Sequence, residues 1–260
     1  MTAQIDLDQR LRQAILSDAR VACALAYGSL TQGTGDRYSD LEYYLFVPEA
    51  LTPRFEPEAF LARLTPVRHA VINDFGTPNF ITDDLLRIEL HVEPLERLSD
   101  ILSWPGYHID PGRMLVKDSG GRLAAVLDEL ARRGPPDPKD DAPLVLGRLL
   151  NWLAFGANVL ARGERLRALE LLGWIRGGVL RLARLAENHT EHWQTASRLA
   201  EQELIPEVLT RFAWLTGPLE NLERQYAEAW CWTQELASAL RADVDPIDEH
   251  LKADLDRRLR

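Results

Sequence analysis

Cysteine is scarce in this chain, with two residues, Cys23 and Cys231, among 260. Neither belongs to a Cys-x-x-Cys pair, so neither a zinc site nor a disulfide framework is indicated. Positive charge is also scarce: 30 Lys and Arg stand against 40 Asp and Glu, which gives a formal net charge of -10. Non-specific capture of nucleic acid normally needs a basic face. We therefore expect no nucleic-acid partner.

Long apolar runs are missing as well. No window approaches the roughly 18 uninterrupted apolar residues that indicate a transmembrane helix. Residues 1–20 have the pattern of a polar amphipathic helix, without the basic start and apolar run of a signal peptide. These features predict a cytoplasmic protein that does not bind a membrane. The hydrophobic content of 46% is enough for one large domain or two modest ones.

A proline-rich segment, Gly-Pro-Pro-Asp-Pro at residues 134–138, separates two regions of different character. After a helical pattern at residues 5–18, the first region has apolar runs that predict strands at residues 21–27, 40–47, 67–73, 79–82 and 85–92. In the second region, apolar residues recur at helical spacing, with periodic segments that include residues 191–203. We predict a first domain over residues 1–134 and an antiparallel helical bundle over residues 140–260.

Two acids on the second predicted strand are the clearest chemical signal. Asp40 and Glu42 are two residues apart, so their side chains share one face of a strand. Ten residues upstream, Gly28 and Ser29 form a turn that can present backbone amides to phosphate, and Gly28 permits close approach. Magnesium prefers such carboxylates and fills its other positions with water and substrate phosphates. The pattern predicts a site for a metal-bound nucleotide.

A third acid, Glu89, lies on the last predicted strand, with Ile88 and Leu90 on the buried side. If that strand lies beside the first acidic strand, three carboxylates converge. They would hold two Mg²⁺ ions, or hold one while the third acid accepts a proton. Asp-x-Glu alone is more often a solvated strand edge, but the Gly-Ser turn upstream favours the functional interpretation.

The segments that carry these acids resemble a known superfamily. The run Tyr-Gly-Ser-Leu-Thr at residues 27–31, followed by Tyr-Ser-Asp-Leu-Glu-Tyr-Tyr at residues 38–44, resembles the nucleotidyltransferases that include DNA polymerase beta. Together with Arg-Ile-Glu-Leu-His at residues 87–91, it is similar to the lincosamide nucleotidyltransferases in particular. The resemblance continues at residues 158–172 and covers most of the chain. It implies an α+β fold, with an N-terminal nucleotidyltransferase domain containing a mixed β-sheet and a C-terminal α-helical bundle.

The resemblance also implies an activity. Such an enzyme moves a nucleoside monophosphate, typically from ATP, onto a hydroxyl of a lincosamide antibiotic, and works as a homodimer. It implies that Asp40 and Glu42 hold Mg²⁺, that Glu89 is a further metal ligand or the base, and that Gly28 and Ser29 bind the nucleotide.

Two further residues continue these acidic faces. Tyr44 follows Glu42 on its strand, and His91 follows Glu89. Both are candidates for acceptor binding. The alternative for Tyr44 is an aromatic side chain that closes the edge of the sheet, and the alternative for His91 is a structural, hydrogen-bonded histidine.

Other functions stay open at this point. In the nearest alternative, the chemistry is the same but the acceptor is an aminoglycoside, another hydroxyl-bearing metabolite or a protein side chain, because one fold and one donor chemistry serve many acceptors. In a second alternative, this protein is a non-catalytic nucleotide-binding module.

Overall fold

A six-stranded mixed sheet organises the N-terminal part of the chain in the computed structural model, which describes residues 3–259. The strands are β1 (Cys23–Tyr27), β2 (Leu41–Val47), β3 (Val67–Ile72), β4 (Pro78–Thr82), β5 (Arg87–Pro94) and β6 (Leu115–Asp118). They lie in the order β3-β4-β5-β2-β1-β6. All neighbours are antiparallel except β2 and β5, which are parallel.

The parallel pair brings the two acidic strands together. Leu41 pairs with Ile88, Glu42 pairs with Glu89, and this register continues along both strands. A 3₁₀ helix (Glu49–Arg54), a short α-helix (Pro57–Ala62) and the β3-β4 hairpin return the chain to the end of the sheet at which β2 began, as a parallel connection requires. The expectation that the second acidic strand lies beside the first is confirmed.

Helices cover both faces of the sheet. The helices of this part are α1 (Ala3–Ser17), α2 (Ser29–Gln32), α3 (Pro57–Ala62), α4 (Pro111–Met114) and α5 (Arg122–Arg133). On one face, Leu41, Tyr43 and Leu45 of β2 are buried against α1. On the other, Phe46 packs with Leu98 and α5. This alternation of core positions leaves the acids of β2 and β5 on the second face, beyond the apolar cluster.

The segment between β5 and the proline-rich linker contains elements that the sequence pattern does not predict. A 3₁₀ helix (Leu95–Ser103), α4, β6 and α5 follow one another there. β6 has four residues and no alternation of apolar and polar side chains, so its pairing with β1 leaves no mark on the sequence.

The chain divides into two units, the first ending at Pro136 and the second beginning at Asp137. The helices of the second unit are α6 (Pro138–Ala161), α7 (Arg165–Ala186), α8 (Ala200–Glu203), α9 (Pro206–Trp214), α10 (Leu222–Ala239) and α11 (Glu249–Arg258). The α+β fold class, with a mixed sheet followed by helices, is therefore confirmed.

Within residues 3–259, one helix, α6, is long and apolar enough to cross a membrane by length and composition alone. It packs against α7 and α10, and eight of its residues are buried. That is the arrangement of a core helix in a bundle.

The predicted helix at residues 191–203 is wrong as a continuous element. The chain forms a short 3₁₀ turn there, and Leu199 has a φ of 50°, which interrupts the helix before α8. The carbonyl groups left free by this irregular path accept hydrogen bonds from the buried guanidinium of Arg184. Its distances are 2.6 Å to Ala196 and 2.5 Å to Arg198.

Candidate active site

The second face of the parallel pair carries the candidate residues in rows. Glu42 lies opposite Glu89, Tyr44 opposite His91, and Phe46 opposite Glu93. Successive rows are two residues apart, about 6.7 Å along a strand. Asp40 precedes β2 at the same end as the Glu42 row. The structure thus brings the three acids to one end of the strand pair, with aromatic side chains in the rows beyond.

Gly28 provides the space for Glu42. Its φ is 77°, and a Cβ placed on it would lie 1.5 Å from Glu42 Oε2. Tyr27 is the register partner of Glu42, so the turn that follows β1 lies directly against this carboxylate. A side chain at position 28 is therefore excluded both by backbone conformation and by the position of Glu42.

Ser29 begins α2 immediately after this glycine. It is buried, and its hydroxyl oxygen has no hydrogen-bond partner within residues 3–259. A buried polar atom without a partner is unfavourable and is uncommon in native proteins. An anionic ligand that draws on this hydroxyl and on the amides at the turn would satisfy it.

Arg87 connects two of the acids. Its guanidinium pairs with Asp40 through Nη1 and lies 2.5 Å from Glu89 Oε2 through Nη2. Partial burial lowers the pKa of Arg87, but the hydrogen bond to Glu89 and the charges of both acids outweigh burial and raise it. The arginine therefore stays charged and offsets the repulsion between the carboxylates.

The second oxygen of Glu89 is held by different partners. Tyr27 donates its hydroxyl to Glu89 Oε1 at 2.7 Å, and His91 Nε2 lies 3.1 Å from the same oxygen. Burial raises the pKa of Glu89, but hydrogen bonds from Tyr27, His91 and Arg87 hold it below its ordinary value. Glu89 is thus an ionised carboxylate near neutral pH, with both oxygens engaged.

The row beyond the acids is aromatic. Tyr44 stacks on His91 with ring centroids 3.8 Å apart, and Trp104 lies 5.3 Å from Tyr44 and 5.9 Å from Tyr27. Burial, helped by the charges of Glu93 and Glu89, raises the pKa of Tyr44 to about 12. For His91, burial lowers the pKa against the opposing effect of Glu89.

The chemistry of the three carboxylates fits magnesium, which prefers hard oxygen ligands. Their arrangement in this conformation includes Arg87, which supplies the positive charge between Asp40 and Glu89. No group of three or more His, Cys, Asp or Glu side chains in the described part of the chain is disposed to hold a metal ion. The donor atoms are thus present at one end of the sheet, with a guanidinium as their cationic partner.

Two site contacts were missed from the sequence. Alternation along β5 puts Arg87 on the same face as Glu89, but it does not predict the double ion pair of Arg87. The Gly-Ser motif includes Tyr27 but does not predict that its hydroxyl donates to Glu89. The period-two pattern of β5 was the one available signal for Arg87. Contacts of Tyr27 depend on the register of β1 against β2, which the sequence does not specify.

Comparison with known protein families concerns the C-terminal part of the chain. Residues 139–254 match the family described as "Lincosamide nucleotidyltransferase-like, C-terminal domain". The match lies within the second unit and supports a nucleotidyltransferase enzyme. The C-terminal part of the chain is therefore similar to the C-terminal domain of the lincosamide nucleotidyltransferase-like proteins, which supports the resemblance that the motifs indicate.

Two solved structures align over most of the chain. An aminoglycoside 6-adenyltransferase from Bacillus subtilis aligns with 12% identity and a TM-score of 0.42, covering 99% of this chain and 97% of its own. A nucleotidyltransferase-like protein from Exiguobacterium sibiricum 255-15 aligns with 16% identity and a TM-score of 0.40, covering 98% of this chain and 87% of its own. Similarity at this level bears on neither substrate nor mechanism. No curated protein sequence matches the chain.

Proposed function

We propose that this enzyme transfers a nucleoside monophosphate from ATP, as the Mg²⁺ complex, to a hydroxyl of a small, lincosamide-like antibiotic. One observation carries the proposal. Asp40, Glu42 and Glu89 share one end of a parallel strand pair, directly beside the Gly28-Ser29 turn. A triphosphate repels an oxygen nucleophile, so the site must neutralise phosphate charge and align the attacking hydroxyl.

In this proposal, Asp40 and Glu42 hold the Mg²⁺, and Glu89 acts as the base. The bound metal would neutralise phosphate charge and stabilise the departing pyrophosphate. Ser29 would bind the terminal phosphates through its hydroxyl and backbone N–H, and Gly28 leaves room for the carboxylate of Glu42.

Glu89 would accept the proton of the acceptor hydroxyl while the oxygen attacks the α-phosphorus and the bond to pyrophosphate breaks. The hydrogen bonds from Tyr27 and His91 support this role because they fix Oε1 and leave Oε2 as the exchangeable oxygen. Oε2 contacts Arg87, an exchangeable side-chain partner. We propose that Arg87 moves from Glu89 when the metal-nucleotide complex binds.

The test is a thin-layer assay with labelled ATP and a panel of antibiotics that includes lincosamides and aminoglycosides. We expect labelled nucleotide on a lincosamide, and loss of both transfer and Mg-ATP binding in Asp40→Asn. Asp74→Asn, an exposed acid in the β3-β4 turn, is the control and should behave as wild type. Transfer to an aminoglycoside alone would show that the acceptor is an aminoglycoside and not a lincosamide. Tight ATP binding without transfer to any acceptor would favour the nucleotide-binding module.

We also propose that the enzyme is a cytoplasmic homodimer. The family supports this assembly only by resemblance, so light scattering of the purified protein is the test. A single species near twice the chain mass of 29.5 kDa is expected. A monomer at micromolar concentration would refute it.

A further inference from the structure

A cavity of about 500 Å³ lies in the first unit, between the residues that follow α1 and those that follow α3. We define it as the double-arginine cavity, whose walls include Ala14, Ser17, Asp18, Arg20, Arg63 and Leu64. Cavities of roughly 300–1,000 Å³ bind small organic molecules. The double-arginine cavity is therefore large enough for a phosphate group with a small organic substituent.

The double-arginine cavity is separate from the proposed active site. Asp18 and Arg20 precede β1, whereas Gly28 and Ser29 follow it. β1 has five residues, so the two places are roughly 17 Å apart along the strand. A ligand in the cavity therefore does not use the groups that are proposed to hold the nucleotide.

Both arginines of the cavity converge on one oxygen atom. Asp18 Oδ2 lies 2.6 Å from Nη2 of Arg20 and 3.5 Å from Nη2 of Arg63. Arg20 also donates through Nε to Asp18 Oδ1 at 2.9 Å. Within residues 3–259, Nη1 of neither arginine donates a hydrogen bond. Two guanidinium groups thus meet at one place, each with N–H groups to spare.

Aromatic rings hold both guanidinium groups in place. Arg20 lies over the ring of Phe55, 4.6 Å from its centroid, and Arg63 lies over the ring of Phe60 at 4.9 Å. Both phenylalanines are buried in the hydrophobic core of the first unit. Cation–π contacts with fixed rings restrict the positions of the two guanidinium groups. Donors that are already ordered lose less conformational entropy when a ligand binds.

The double-arginine cavity has an excess of positive charge in an acidic chain. The hydrogen bond from Arg20 lowers the pKa of Asp18 to about 2, so this carboxylate is ionised and cancels one of the two arginine charges. Backbone carbonyls at the C-terminal end of a helix repel anions. Here Lys117 donates from Nζ to the carbonyls of Ile15 and Asp18, at 3.3 and 2.8 Å, and offsets that repulsion. The charge balance therefore favours an anionic ligand.

We infer that the double-arginine cavity is a binding site for a phosphate group, held between the guanidinium groups of Arg20 and Arg63. A planar guanidinium presents pairs of N–H groups that match two phosphate oxygens. Inorganic phosphate and a phosphate monoester of a small molecule share this chemistry. The site lies outside the proposed transfer reaction, so it adds a second ligand to the protein.

Calorimetric titration of the full chain tests the site. The probes are inorganic phosphate and phenyl phosphate, each in EDTA and at constant ionic strength. EDTA removes divalent cations, without which the three acids of the proposed active site repel a phosphate. We expect one phosphate group to bind per chain. Equal affinities assign the site to inorganic phosphate, and tighter binding of phenyl phosphate assigns it to a monoester. No saturable binding of either probe would overturn the inference.

Two substitutions with opposite effects locate the phosphate group. Arg63→Gln should weaken binding by about tenfold, because it removes one of the two guanidinium groups. Asp18→Asn should strengthen binding by about threefold, because it removes the carboxylate that competes for the same N–H groups while keeping an oxygen that accepts from Arg20. A general loss of folded structure would weaken binding in both variants.

Arg54→Gln is the matched control for Arg63→Gln. Arg54 is exposed, does not line the cavity and forms no ion pair in the part of the chain that the structure describes. Its substitution should leave the affinity for phosphate at the wild-type value. Equal weakening in both variants would show that phosphate responds only to the net charge of the chain, and would refute the site. Unaltered affinity in Arg63→Gln would refute it as well.

Discussion

At the scale of single residues, the site is organised around the two oxygens of Glu89. Oε1 is held by Tyr27 and lies beside His91, while Oε2 contacts Arg87. Tyr27, which holds Oε1, is a strand residue packed among aromatic rings, whereas Arg87, which contacts Oε2, is partly exposed. This asymmetry separates a fixed oxygen from an exchangeable one, and it leads to two predictions.

The first prediction concerns Tyr27. Tyr27→Phe keeps the ring against Tyr44 and Trp104 but removes the hydrogen bond to Glu89. We expect kcat to fall about tenfold, with the ATP KM within twofold of wild type, because Glu89, the proposed base, loses orientation while the proposed nucleotide site is intact. Steady-state kinetics measures both values.

Tyr43→Phe is the matched control for Tyr27. It removes a buried hydroxyl from the opposite face of the neighbouring strand, where Tyr43 contacts Asp8. Its kcat should stay at the wild-type value. Equal loss of kcat in both variants would assign the Tyr27 effect to general destabilisation of the sheet.

The second prediction concerns Arg87. Without Mg²⁺, Arg87→Met should lower the free energy of unfolding by about 0.5–1 kcal/mol, since partly exposed ion pairs contribute modestly. With saturating Mg²⁺, the variant should gain more stability than wild type, because the metal then neutralises acids that Arg87 no longer pairs. Thermal unfolding in EDTA and in a Mg²⁺ series measures this difference.

An exposed ion pair on the same sheet provides the control for Arg87. Arg68 pairs with Asp83 at the β3-β4 edge, and Arg68→Met should not alter the response to Mg²⁺. Parallel Mg²⁺ responses in Arg87→Met and wild type would show that Arg87 and the metal do not compete for these acids.

At the scale of elements, alternation in β2 and β5 was sufficient to predict the acidic strands and their common face. Buried Leu41, Tyr43 and Leu45 left only one face for Asp40 and Glu42. Short or irregular elements could not be predicted from alternation in this way. β6 has four residues. The segment at residues 191–203 has apolar residues at helical spacing but is not one continuous helix, because its path depends on contacts with Arg184, which lies outside the segment. The sequence pattern within a segment carries no information about its contacts with a residue outside that segment.

The third prediction tests that arginine. Arg184 is fully buried and contacts Glu203 and backbone carbonyls of the irregular segment. Arg184→Met should lower the free energy of unfolding by roughly 3 kcal/mol or more, because the partners are left buried and unpaired. Urea denaturation measures the loss. Arg167→Met, which removes an exposed pair with Glu164 on the same helix, should cost less than about 1 kcal/mol.

At the scale of the whole molecule, every proposed site residue lies in the first unit, before Asp137. The second unit has its own core, which includes fully buried Leu153, Ile175 and Tyr226. We predict that residues 137–260 fold when expressed alone, with a helical circular dichroism spectrum and cooperative unfolding in urea. A gradual, non-cooperative transition would contradict this independence.

The most direct test of the central claim is a crystal structure of the enzyme with Mg²⁺ and a non-hydrolysable ATP analogue. We expect metal density at Asp40 and Glu42, the triphosphate against the Gly28-Ser29 turn, and Arg87 withdrawn from Glu89. A triphosphate bound elsewhere, with the contacts of Arg87 to Asp40 and Glu89 intact, would contradict the account.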